Sequence, residues 1–414
     1  MGRTTARTDV TRSAVLAHIG VHGPTSRAEL ARVLDVSPAL ITGATKRLIA
    51  DGLLTELDHS PSQGGRPARL LGLVAESGRA IGIKVVADHI TLVEVGIDGT
   101  VQRSATRDFD AAAPAALSEL AAVTVAFIDA GTSGPLLGVG VGVPGTVDEQ
   151  HAGTVDSTQL GWVRVPVGET LRRALDLPVL VENNVNALAM AEALYGSGRG
   201  LGHALVVTIG TGVGAGLITD GDVLRGWRGG AGELGHVPVV ADGPACVCGS
   251  TGCLETLISE EALLRAATAQ GIVPEAASID AVHTAADTGD AGAQAIFRTA
   301  GTHLGRTLAG VVNLLDPEAV IVLGEGVTAW THWSAGFEPA FRAALIPHTR
   351  HIPVTVETWQ DDRWAQGSAA LVLSTPFDAQ GLSGEQGRLV RERLAIGEVA
   401  ASAASPAGPA GNGG

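Results

Sequence analysis

Aromatic side chains make up only 3% of the 414 residues, and the chain has three cysteines, two methionines and one tyrosine. Set against 56 glycines, this scarcity points to tight βα turns and small-residue packing. The glycines follow no Gly-X-Y period, which excludes collagen. No apolar run reaches the roughly 18 residues of a membrane span. Ala204–Ile218 comes nearest and is interrupted by Thr and Gly. The first residues lack the apolar core of a secretory leader. Three cysteines are an odd number and too few for a disulfide scaffold. The expectation is a soluble, cytoplasmic chain with no membrane partner.

Hydrophobic residues at 45% and charged residues at 17% supply enough apolar surface for a folded core, and the length calls for two or three domains. The charge is unevenly divided. Residues 1–70 hold nine basic and six acidic groups, a net +3, which leaves −18 on the remainder of a chain whose total is −15. An acidic body repels polyanions and the head does not, so a nucleic-acid-binding head is expected on a body with another task.

Three short helices are expected over 10–58. Val10–Ile19 stops at Gly20, Gly23 and Pro24. Ser26 then caps Arg27–Leu34, with Glu29 three residues later as in a capping box. After a tight turn at Asp35-Val36, Ser37 caps a third helix with Pro38 at its first position. A short turn between helices of about eight and thirteen residues is the helix-turn-helix pattern. Ser37, Ala39, Leu40, Thr42, Gly43, Thr45, Lys46 and Arg47 are read as the exposed positions of the second of these helices. Its early residues would meet base edges, while Lys46 and Arg47 would meet phosphates. Leu53–Leu57 and Arg66–Leu71 form a hairpin wing whose Gly65-Arg66-Pro67 tip would place Arg66 in a minor groove.

From Arg79 onward strands alternate with helices in two rounds, as in two α/β lobes with a cleft between them. The expected division is a winged helix-turn-helix over 1–75, a first lobe over 78–190 and a second over 191–375, its last helix returning to the first. A mobile tail over 376–414 follows, with one helix near Gln386–Leu394.

All three cysteines fall within the eight residues Cys246–Cys253, and His236 lies ten residues before the first. Three thiolates and one imidazole complete a tetrahedral Zn²⁺ shell with no open position, so the zinc would be structural. Gly249 and Gly252 permit the turn that returns Cys253 to the metal.

The run from Thr208 to Gly216, the segment Gly229-Gly-Ala-Gly-Glu-Leu-Gly-His236, and Cys246-x-Cys-Gly-x-x-Gly-Cys-Leu-Glu255 resemble the signature of the ROK family (repressors, open reading frames, kinases). The head resembles that of the family's repressor branch, typified by xylose and N-acetylglucosamine repressors. The resemblance implies an actin-like pair of α/β lobes closing on a sugar, assembled as dimers or tetramers. It also implies sugar contacts at Glu182, Asn183, Asn184, Glu233, His236 and Glu255, with Gly145 and Thr158 nearby.

Three features depart from the family's kinases. The base position is Asn184, which accepts no proton near neutral pH. The first phosphate loop reads Ile83-Lys84-Val85-Val86-Ala87, without the acid or the glycines. The adenosine-side segment reads Leu323-Gly324-Glu325-Gly326. The expected function is therefore a sugar-responsive transcriptional regulator that binds operator DNA as a homo-oligomer and has no catalytic residues. The rival is an active sugar kinase with an autoregulatory head.

Overall fold

Apolar spacing in the head places one stripe of each helix inward, and the cap residues set the helix ends. The computed structural model describes residues 2–59, 68–132, 134–148, 152–360, 362–377 and 384–404. The head comprises α1 (Gly2–His22), β1 (Thr25–Ser26), α2 (Arg27–Val33), α3 (Pro38–Ala50), β2 (Leu54–His59) and β3 (Arg69–Leu73). Ser26 accepts from the Glu29 amide at 3.2 Å and Ser37 from the Leu40 amide at 3.3 Å, so both expected caps form. Asp35 turns the chain between α2 and α3 with φ 50°. The three strands pair in the order β1-β3-β2, which makes the wing. Its tip, including Gly65, Arg66 and Pro67, lies outside the described residues.

The first lobe continues with β4 (Arg79–Val85), β5 (His89–Gly96), β6 (Val101–Asp108), α4 (Ala116–Asp129) and β7 (Leu136–Val143). A small sheet of β8 (Thr146–Val147), β9 (Thr154–Ser157) and β10 (Trp162–Pro166) follows. The lobe then runs through α5 (Val167–Leu175), β11 (Val179–Asn183) and α6 (Asn184–Tyr195). The main sheet has the order β11-β7-β4-β5-β6. Its β4–β6 part is an antiparallel meander, while β7 and β11 run parallel to β4. The carboxyl ends of these parallel strands lie together, where open α/β sheets take ligands.

The second lobe repeats the plan with β12 (Ala204–Ile209), β13 (Val213–Thr219), β14 (Asp222–Val223), α7 (Glu255–Ile258), α8 (Glu260–Ala269), α9 (Ile279–Asp287), α10 (Ala291–Leu315), β15 (Ala319–Leu323), α11 (Trp330–Ala344) and β16 (Val354–Val356). Its sheet order is β14-β13-β12-β15-β16. Phe297, Trp333, Phe337 and Phe341 fill the core beside the α10–α11 pair. This lobe therefore concentrates the few aromatics of the chain.

Two further helices close the fold, α12 (Arg363–Leu373) and α13 (Gly384–Ala404). The chain divides into one unit of residues 1–200 and 364–414 and another of residues 201–363. This grouping differs from the expected limits at 190/191 and joins the head to the first lobe. Within the first unit one apolar cluster runs from Val15, Ile19 and Leu48 of the head to Leu371, Phe377, Val390 and Leu394. The segment expected as a mobile tail thus contributes the buried side chains of Val390 and Leu394 on α13. Among the described residues, no helix is long and apolar enough to cross a membrane.

Candidate effector, metal and DNA sites

β11 ends directly at the start of α6, so the Glu182-Asn183-Asn184 segment sits at a helix N-terminus. Asn183 is the N-cap. Its Oδ1 accepts from the amides of Val185 at 2.8 Å and Asn186 at 3.4 Å, and its Nδ2 donates to the Gly145 carbonyl at 2.8 Å. Glu182 is 2% exposed. Its Oε1 accepts from the Asn183 amide at 2.8 Å and from Asn186 Nδ2 at 3.4 Å. Glu182 therefore fixes the local backbone.

Asn184 is different. Its Oδ1 is buried without a hydrogen-bond partner, a state that costs about 1–3 kcal/mol unless a donor arrives. Both this oxygen and Ser368 Oγ of α12 face Gly142 on β7. Lys84, next to Gly142 across the β4–β7 pair, holds its Nζ 5.2 Å from the Trp364 ring centroid. Gly145 lies at the end of β7 with φ 108°. Thr158 is exposed in the β9–β10 turn, where its carbonyl accepts from the Gly161 amide at 3.4 Å.

In the second unit Glu255 opens α7 and reaches across to the glycine-rich turn, where its Oε2 accepts from the Val213 amide at 3.0 Å. Glu233 precedes a short turn that carries His236, and Glu233 Oε2 is 3.9 Å from His236 Nε2. Partial burial raises the Glu233 pKa above its ordinary value; the His236 ring opposes the rise and the Glu255 charge adds to it. The other histidine nitrogen, Nδ1, is 3.4 Å from Cys246 Sγ. The donor atoms of His236, Cys246, Cys248 and Cys253 all lie within 4.8 Å of one another. Gly252, at φ 65°, packs so closely on the Val240 carbonyl that a side chain there would collide with it. That glycine lets Cys253 return to the cluster, which can hold a metal ion.

The glycine-rich turn between β12 and β13 is ringed by acids. The Glu325 carboxylate lies against Gly210, and Thr211 Oγ1 donates to Glu260 at 3.4 Å. Burial, and then the Glu325 charge, raise the Glu260 pKa. The Val213 amide is already taken by Glu255. A phosphate approaching this turn meets carboxylates and one fewer free amide.

On α3, Ser37, Ala39, Thr42, Lys46 and Arg47 are exposed and Leu40 is half-buried. Thr45 corrects the expected surface because it is fully buried. Its hydroxyl donates to the Ile41 carbonyl at 2.9 Å and accepts from Arg27 Nε at 3.0 Å. Ile41, Ala44, Thr45 and Leu48 form the inward stripe, so helical spacing alone places Thr45 with the core.

A winged helix-turn-helix ahead of an actin-like α/β body with a His-Cys₃ cluster defines a DNA-binding protein built on a sugar-kinase fold. The chain belongs to the ROK family, whose model matches residues 80–375, and residues 10–60 match the MarR family. A solved ROK family transcriptional regulator, a homologue of the E. coli MLC protein, is 25% identical with TM-score 0.75 and covers 94% of this chain and 100% of its own. The xylose repressor of Bacillus subtilis (strain 168) is 27% identical over 316 residues, 76% of this chain and 81% of its own. A ROK family glucokinase from Streptomyces griseus, solved with glucose and AMPPNP, is 30% identical with TM-score 0.62, covering 71% of this chain and 99% of its own.

Proposed function

We propose that this chain is a sugar-responsive transcriptional repressor of carbohydrate genes, cytoplasmic and homo-oligomeric, that transfers no phosphoryl group. The observation that carries the reading is the buried, unpartnered Oδ1 of Asn184. An amide oxygen there accepts a hydrogen bond from a sugar hydroxyl, yet it cannot take the proton that a kinase must remove. Effector contacts are assigned to Gly145, Thr158, Asn183 and Asn184 in the first unit and to Glu233, His236 and Glu255 in the second. Glu182 acts by holding Asn183. Several relatives, such as the B. subtilis protein, are named xylose repressors, which makes D-xylose the first sugar to test.

Two further observations argue against the kinase reading. Lys84 puts an ammonium at a strand end where the family's kinases need a magnesium-binding acid. Glu260 and Glu325 place carboxylates at the remaining glycine turn. A coupled assay with ATP, Mg²⁺ and D-xylose, D-glucose or N-acetyl-D-glucosamine is expected to give no turnover. Titration calorimetry is expected to show one of these sugars binding the protein at least about tenfold more tightly than Asn184→Leu, the loss of one buried polar contact. Turnover, or equal affinity in the variant, contradicts the reading.

The metal is assigned as zinc. Tetrahedral thiolates about 2.3 Å from zinc stand about 3.8 Å apart, and Cys248 Sγ is 3.7 Å from Cys253 Sγ. Bound there, zinc supplies a fixed cross-link and has no open position for catalysis. His236 would ligate through Nδ1, leaving Nε2 toward Glu233 and free to meet a hydroxyl. Operator DNA is assigned to the exposed residues of α3. Ser37, Ala39, Leu40 and Thr42 face base edges and Lys46 and Arg47 face phosphates. Arg66 is assigned to the minor groove on its sequence position alone.

A further inference from the structure

Arg199 lies well outside the proposed effector contacts, yet its guanidinium makes three hydrogen bonds to the head. Its Nε donates to the Val21 carbonyl at 3.0 Å, and its Nη2 donates to the carbonyls of Gly20 at 2.8 Å and Ile19 at 3.1 Å. These belong to the last turn of α1, where the Ile19 carbonyl also accepts from the Gly23 amide at 2.9 Å and where the helix dipole favours a cation. The first helix of the DNA-binding head is therefore capped by a side chain of the sugar lobe.

Arg199 is fastened to α6. The Gly196 amide donates to the Glu192 carbonyl at 3.1 Å, the Ser197 amide to Glu192 Oε2 at 3.1 Å, and the Arg199 amide to the Gly196 carbonyl at 3.1 Å. Glu192 itself is fully buried. The other end of α6 is Asn183-Asn184, so one helix of twelve residues, about 18 Å long, joins the effector contacts to the α1 cap. α6 buries side chains on nearly every face, from Asn186 to Leu194, and so responds as a rigid rod.

α12 runs beside it between the same two places. Its first turn holds Trp364 beside Lys84, and Ser368 at mid-length faces Gly142. Beyond its last turn the Phe377 ring presses on Gly20 so closely that a Cβ at Gly20 would overlap it. At mid-length Gly367 packs directly on the backbone of Leu188, where an added Cβ would come within 2.9 Å. The two helices are thereby locked to each other, and both end on the same turn of α1.

We propose that α6 and α12 form the coupling element of this regulator, and that Arg199 is the positioning residue through which the sugar sets the pose of α1. The proposal rests on the sugar-responsive reading above. Donors arriving at Asn184 shift α6 along its axis, Arg199 carries its three carbonyls with it, and Phe377 moves against Gly20. The coupling free energy exists only if the sugar prefers one of these two poses.

The test measures affinity for fluorescent DNA from upstream of the chain's own gene, at fixed salt, with and without D-xylose, D-glucose and N-acetyl-D-glucosamine. Wild type, Arg199→Met and Arg199→Lys are compared. The sugar that moves wild-type affinity by about tenfold, within the usual coupling range, is expected to move Arg199→Met less than about twofold. Calorimetry should find that sugar still bound by the variant, and Arg199→Lys should recover part of the response. A wild-type response in Arg199→Met overturns the proposal. A wild type blind to all three sugars overturns the functional reading, and this proposal with it. If Arg199→Met does not fold, hydrogen exchange of wild type decides: protection at residues 19–23 must change with the sugar, and unchanged protection overturns the coupling role.

Discussion

Asn183 ties two strand ends of the first lobe together by donating from Nδ2 to the Gly145 carbonyl over 2.8 Å, while its Oδ1 caps α6. Both ends of the amide are thus used to shape the site. Asn183→Ala removes the cap and the cross-link at once. A cap alone is worth about 1 kcal/mol, so Tm should fall by a few degrees while the fold persists. Operator binding is expected to survive and the sugar response to vanish. An undiminished response in Asn183→Ala would remove Asn183 from the effector site.

Metal analysis of the purified protein is expected to find close to one zinc per chain. Chelation or Cys253→Ser should lower Tm and free the knuckle of 246–253 to proteolysis, because Cys253 is fully buried and one thiolate fewer leaves the shell incomplete. Protein purified without zinc, with unchanged Tm after chelation, refutes the zinc assignment.

The α3 surface separates contact residues from packing residues. Lys46→Ala and Arg47→Ala should each weaken operator and non-operator DNA alike and reduce the salt slope by about one. Thr45→Val leaves the Arg27 Nε without its acceptor, so its effect should appear in thermal unfolding. A salt slope that changes in Thr45→Val and not in the Lys46 and Arg47 variants would reverse the assignment.

Glu94 gives the first lobe an acid-sensitive anchor. It is fully buried, with Arg103 Nε at 2.7 Å, Arg79 at 3.3 Å and the Thr132 hydroxyl donating to it. Burial pushes its pKa up, but the Thr132 and Arg103 hydrogen bonds and the Arg79 charge outweigh that and hold it below 4.5. A carboxylate whose folded pKa is lowered stabilises the fold above its unfolded value and loses that contribution as pH falls through the folded one. Stability should therefore drop on acidification below 4.5, and Glu94→Gln should flatten that dependence. At pH 7 the variant leaves the buried Arg79 guanidinium without its counter-charge, while Arg103 keeps the Phe127 carbonyl, and a loss of about 3 kcal/mol is expected by urea unfolding. An acid limb as steep in the variant as in wild type would contradict this role.

The head was legible because its signals are local: Ser26 and Ser37 cap within three residues, and Pro38 marks a helix start. The His-Cys₃ cluster was legible because four potential ligands stand within a short stretch. Thr45 was misread because a polar side chain was taken as exposed, although its spacing from Ile41 and Leu48 puts it inside. α12 shows no amphipathic period because nearly all of it is buried. The small β8–β10 sheet is built from strands of two to five residues, too short for a pattern. Arg199 could not be read at all. Its partners lie 178 to 180 residues away, and only the folded lobe brings them together.

On the proposed reading, sugar and operator DNA are linked through one chain. The most direct measurement of that link is the affinity of wild-type protein for its own upstream DNA at fixed salt, across D-xylose, D-glucose and N-acetyl-D-glucosamine. The expected result is specific binding that one sugar changes by about tenfold while the others leave it alone. Tight operator binding that no sugar alters, or no preference for that DNA over unrelated sequence, would rule out a sugar-responsive repressor.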